Sequence, residues 1–76
     1  MKTFVLGIVR ALADHPSHLK VAAIMGAHTT VFEVRCDGRD LGRLIGRNGR
    51  TVQAMQVLID NMAARRNKRA ILEITD

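Results

Sequence analysis

The stretch Ile45-Gly46-Arg47-Asn48-Gly49-Arg50 decides the reading of this chain. It is a tight basic turn set between two short segments of helical apolar period. Two glycines three apart remove Cβ atoms on both sides of the turn, so backbone N–H groups can come close to the phosphates of a ligand. Arg47, Asn48 and Arg50 bring charge and hydrogen bonds to the same place. The turn also opens a helix, whose N-terminus carries partial positive charge and unpaired donors. The plain alternative is a helix-to-helix corner that uses its glycines for shape alone.

Just upstream, Leu41, Leu44 and Ile45 lie on a short helix predicted over 38–45, with Asp37 as its cap and Asp40 favourable near its start. Downstream, Val52, Met55, Leu58, Ile59 and Met62 recur at helical spacing and predict a longer helix over 50–65. Arg65, Arg66 and Lys68 gather where its last carbonyls are unpaired, and Asn67 suits a left-handed stop. Nearer the N-terminus, Phe4, Val5, Ile8, Val9 and Leu12 predict an amphipathic helix over about 2–14, halted by Asp14-His15-Pro16. Leu19, Val21 and Ala23 alternate with Lys20 and Ala22. Phe32, Val34 and Cys36 alternate with Glu33 and Arg35. These two strands should form a hairpin about the turn 26–29. Ala70, Leu72 and Ile74 make a last strand.

The order helix, strand, strand, helix, helix, strand is an α+β pattern, with three helices packed by their apolar faces on one side of a three-stranded sheet. A helix pair between the second and third strands favours a parallel, right-handed crossover, which makes the sheet mixed.

Composition narrows the function. At 76 residues the chain has the size of one domain, and folding buries only about 60% of the unfolded surface. A hydrophobic content of 47% argues against disorder. Net charge is +5, yet the stretch from Arg39 to Arg69 holds eight basic residues against Asp40 and Asp60. Nine of the twelve basic residues are arginine, the better side chain for forked phosphate contacts. This asymmetry points to a polyanionic partner, the alternative being a merely solvated charged surface. No run approaches the roughly 20 apolar residues of a membrane span, and Arg10 marks the apolar N-terminal stretch as a helix start. The single cysteine, Cys36, excludes an intramolecular disulfide and fits a cytoplasmic protein.

The hexapeptide resembles the GxxG loop of a KH domain, the RNA-binding module in which this loop clamps about four backbone nucleotides. A lone GxxG is common, but here the context matches too. Leu41-Gly42-Arg43-Leu44-Ile45 leads in with the Ile-Gly step that KH domains carry, and Val52 stands where the family has an aliphatic residue. The likeness extends along nearly the whole chain to the small bacterial single-KH RNA-binding proteins of the KhpA family. Those also begin with a helix and end with an Asn-Lys-Arg run before a last strand, as Asn67-Lys68-Arg69 precedes Ala70-Ile71-Leu72-Glu73-Ile74 here.

The helix-first order resembles the type II (prokaryotic) KH arrangement and implies a single KH domain over residues 1–76. The resemblance further implies that Gly46, Arg47, Asn48 and Gly49 contact the phosphates of single-stranded RNA, with Arg43, Arg47 and Arg50 neutralising charge. As solvated helix charges, Arg43 and Arg50 would need no ligand. Arg39 is a weaker candidate. Leu44, Ile45 and Val52 are core residues first, and the resemblance implies that part of this set, Ile45 included, floors a groove beneath a base. It also implies a homodimer, or a heterodimer with a larger KH-containing RNA-binding protein linked to cell elongation and division, and a role as RNA chaperone or post-transcriptional regulator. The alternative is a protein-interaction module in which the glycine loop serves a dimer contact and RNA is incidental.

Other chemistries fare poorly. Phe4 and Phe32 are the only aromatics, so the exposed stacking of an RRM or cold-shock domain is out of reach. His15 and His18 lack a second ligand pair for a metal, and Cys36 reads as a small core residue. Gly49-Arg50-Thr51 mimics the end of a P-loop, but the lysine and the first glycine are missing. No catalytic arrangement stands out, so the chain is expected to be no enzyme, with no cofactor, small-molecule substrate or membrane association.

Overall fold

The computed structural model describes residues 1–76 and has the expected α+β order. Helix α1 spans Lys2–Leu12, strand β1 Lys20–Met25, strand β2 Thr29–Arg35, helix α2 Gly38–Ile45, helix α3 Arg50–Ala64 and strand β3 Arg69–Thr75. The three strands form one mixed sheet in the order β1-β2-β3. β1 runs antiparallel to β2, with Val21 opposite Val34 and Ala23 opposite Phe32. β3 runs parallel to β2, with Leu72 beside Phe32 and Ile74 beside Val34.

Alternation sorts each strand into two faces. Thr30, Phe32 and Val34 of β2 and Ala70 and Leu72 of β3 are buried against the helices, which contribute Val5, Val9, Leu44, Met55, Ile59 and Ala63. Cys36 completes this core, where its thiol donates to the Thr75 carbonyl at 3.4 Å. Burial, joined by the charges of Asp40, Asp76 and Asp37, pushes that thiol's pKa up. Two expected core positions lie outside. Phe4 is 38% exposed, and Leu58 is 49% exposed beside Val57. On α3 the buried line is Met55–Ile59–Ala63, and Leu58 stands about 100° around the helix from Ile59.

Helix boundaries follow from local chemistry. The Asp37 carboxylate accepts from the Arg39 N–H at 2.9 Å and starts α2 at the expected place. Asn67, at φ 55°, ends the α3 segment. The Lys68 N–H donates to the Ala63 carbonyl at 2.9 Å and the Asn67 N–H to that of Ala64 at 3.1 Å, a Schellman closure. The Gln56 carboxamide then ties α3 to β3, donating to the Ala70 carbonyl at 2.8 Å and accepting from the Leu72 N–H at 2.9 Å.

Several boundaries differ from the sequence reading: α3 ends at Ala64, one residue short, and β2 ends at Arg35, before Cys36. Thr29 is already the first residue of β2, although the Gly26 N–H closes the expected 26–29 turn by donating to the Thr29 carbonyl at 2.8 Å. α1 stops at Leu12, two residues short, because Ala13 is extended and the next two N–H groups have a better acceptor. Both go to the buried carboxylate of Asp40: from Asp14 at 3.2 Å and from His15 at 2.9 Å. The His15 ring adds a contact from Nδ1 at 3.1 Å. Asp40 is only 1% exposed. Burial opposes its ionisation, but the hydrogen bonds from His15 and Asp14 outweigh that and hold its pKa below the usual carboxylate value.

Two outcomes follow. A domain of this length is stable by roughly 4–11 kcal/mol, and Leu44 is fully buried, so Leu44→Ala should cost ~2–5 kcal/mol in chemical denaturation. Because the Asp40 pKa is depressed on folding, its contribution is complete above the unfolded carboxyl pKa near ~4 and is lost as pH falls through the folded value. Melting temperature against pH should therefore drop on the acid side in the wild type, and drop less steeply in Asp40→Asn.

Candidate nucleic-acid interface

The corner between α2 and α3 is built from backbone sign. α2 closes as the Gly46 N–H donates to the Gly42 carbonyl at 2.8 Å, with Gly46 itself at φ 82°. Arg47–Gly49 then form one 3₁₀ turn, closed by the Gly49 N–H on the Gly46 carbonyl at 3.1 Å. Inside it Asn48 has φ 55° and Gly49 φ 72°. Three of four consecutive residues are left-handed, which glycine adopts freely and asparagine tolerates better than most.

The two glycines serve different ends. A Cβ on Gly46 would lie 2.7 Å from the Thr51 backbone nitrogen, so the first turn of α3 packs directly on the bare α-carbon. A Cβ on Gly49 would meet nothing within 4 Å. Its backbone faces open space, and a side chain there would meet no neighbour in the fold.

Charge surrounds this bare backbone. Arg43 sits in the last turn of α2, Arg47 and Asn48 on the corner, and Arg50 opens α3; all four are exposed. Neither Arg47 nor Arg50 has a carboxylate within ion-pair distance, since the three ion pairs of the fold lie elsewhere. Arg43 differs: its Nη2 is 3.1 Å from Asp14 Oδ2. Arg39, the weaker candidate, is engaged by Asp37 through both Nε (2.8 Å) and Nη2 (2.7 Å). Those hydrogen bonds drive the Asp37 pKa far below the usual carboxylate range. Ile45 and Val52 are half-buried beside the corner, while Leu44 belongs wholly to the core.

Arg65, Arg66 and Lys68 lie at the other end of α3, ~22 Å away by helix rise. Lys68 and Arg69 line a hollow of about 480 Å³ with Thr29, Asp60, Ala64, Ala70 and Ile71, apart from the corner.

The sequence reading missed the Asp14–His15–Asp40 contacts. One signal was present: Asp40 stands four residues before Leu44, on the face that points inward. No helix is long and apolar enough to cross a membrane.

Comparison with known proteins gives a family. The model of the KhpA/KhpB KH domain matches residues 2–74. The chain is 36% identical to the RNA-binding protein KhpA of Chlamydia pneumoniae over 76 residues, covering all of this chain and 97% of that one. It is 39% identical to the KhpA of Borreliella burgdorferi over 69 residues, 91% of this chain and 84% of the relative. It is 35% identical to that of Caldanaerobacter subterraneus over 74 residues, 97% and 99% of the two chains. No solved structure gives a significant match. With the helix-first α+β order and the glycine corner already in place, these matches mean that the chain belongs to the KhpA/KhpB family of KH domains.

Proposed function

We propose that this protein binds single-stranded RNA across the corner, with the backbone of about four nucleotides lying along Gly46, Arg47, Asn48 and Gly49. The observation that carries this reading is the open space at Gly49 in a left-handed turn that Arg47 and Arg50 flank without carboxylate partners. Bare backbone admits the ribose-phosphate chain, and the arginines neutralise it. Arg43 supplies a third positive charge from α2, and half-buried Ile45 offers an aliphatic surface beside the strand. The relatives' name, RNA-binding protein KhpA, supports the choice of RNA over other polyanions. Binding of this kind reads few bases, which suits an RNA chaperone or post-transcriptional regulator, and the family likeness extends the proposal to cell elongation and division.

A second reading makes the protein a dimer subunit, homodimeric or paired with a larger KH-containing protein. The family name, which joins KhpA and KhpB, supports it, as do Val57 and Leu58, 58% and 49% exposed on the outer face of α3. The two readings are compatible, because these side chains and the corner are different surfaces. Avidity from a second subunit would strengthen a four-nucleotide contact.

Arg47→Asp combined with Asn48→Asp places two negative charges where phosphates should lie. Affinity for a labelled uridine octamer should collapse while circular dichroism and melting stay near wild type. Intact RNA binding with lost self-association would instead make the glycine corner itself, and not Val57 and Leu58, the dimer contact. Phosphate contacts by Arg47 and Arg50, with Arg43 as a third, also set a salt dependence: log Kd against log salt should change with a slope of magnitude between about 1.4 and 2. A slope near zero would contradict phosphate recognition.

A further inference from the structure

We infer that Asp14 is a built-in competitor for RNA phosphate at Arg43, held in place by the buried carboxylate of Asp40. This rests on the RNA-binding reading above and adds a residue that sets the strength of that site. Of the three arginines around the corner, Arg43 alone faces a carboxylate, with 3.1 Å between its Nη2 and Asp14 Oδ2. Both side chains are more than half exposed, so the pair is open to exchange with an incoming anion.

Two unconstrained side chains in such a position would meet only fleetingly, because ordering both costs rotamer freedom. Here one side of the pair is anchored through its backbone. Asp40 Oδ1 accepts the Asp14 N–H at 3.2 Å, and Oδ2 accepts the His15 N–H at 2.9 Å. Asp40 and Arg43 are three residues apart on α2 and so share a face. The grip that ends α1 therefore sets the Asp14 side chain against the guanidinium one turn further along α2. Asp40 acts as the positioning residue, and Asp14 is the group that touches the phosphate-binding side chain.

The consequence is a tempered site. Before RNA reaches Arg43, that arginine already has an anionic partner, and a phosphate must displace Asp14 or share the guanidinium with it. Displacement frees a carboxylate that then attracts cations, which offsets part of the counterion release on binding. Wild-type affinity is thus lower, and its salt dependence shallower, than three free arginines would give.

The test measures uridine-octamer binding across a salt series for wild type, Asp14→Asn, Arg43→Gln and the double variant. Asp14→Asn keeps the backbone N–H that Asp40 holds, so its melting curve should match wild type. Its affinity at low salt should rise roughly two- to fivefold, the range expected for an exposed ion pair. Its log–log slope should steepen by about 0.7, one extra phosphate contact on a single strand. In the Arg43→Gln background the Asp14 change should alter neither quantity beyond the small general effect measured with Asp60→Asn as control. Wild-type binding with no response to Asp14→Asn overturns this role and leaves the RNA reading standing, as does an equal response in both backgrounds. Absence of binding by the wild type overturns both.

Discussion

Everything at the α2–α3 end of this fold depends on one steric relation, the contact between the α-carbon of Gly46 and the first turn of α3. A side chain at Gly46 would run into Thr51, and its φ of 82° is unfavourable for any residue with a Cβ. With that position bare, α2 can end and α3 begin within four residues. The turn between them carries its backbone on the outside. An ordinary helix-to-helix loop would be longer and would cover its backbone with side chains. Here the compactness of the corner and the exposure of its backbone have the same cause.

The corner is only as rigid as the helices on either side. α3 is tied to the sheet by the Gln56 carboxamide and by the buried line Met55–Ile59–Ala63. α2 is short, eight residues, and depends on Leu44 in the core and on Asp40. A buried carboxylate is costly unless its acceptor capacity is used. Asp40 meets that condition with two backbone N–H groups and a histidine ring, all from the segment after α1. The same bonds that stabilise the charge therefore join the N-terminal helix to the helix that leads into the corner. In a domain this small, such a polar joint has a larger role than it would in a protein with a deep core.

Much of this was legible in the residues, for reasons that differ by element. α2 was read with its true bounds because Asp37 is an N-cap and Gly46 a stop, both local signals. The left-handed end at Asn67 was equally local. The alternation of Phe32 and Val34 identified β2 but not its start, since Thr29 closes the 26–29 turn and shows itself as strand only where β3 pairs alongside it. Leu58 looked like core because helical period alone does not say how wide the buried stripe is. The partners of Asp40 were not legible at all, since its donors lie 25 and 26 residues upstream and only the folded chain brings them together. For the same reason the residues give no sign that Asp14 stands against Arg43.

The most direct measurement is an NMR titration of the amide resonances with an unstructured uridine octamer at low ionic strength. If the corner cradles the ribose-phosphate chain, the signals of Gly46, Arg47, Asn48 and Gly49 move progressively and saturate, while those of Lys68, Arg69 and Ala70 at the far end of α3 stay in place. Signals at the corner that remain still, or shifts confined to that far end, would contradict the account.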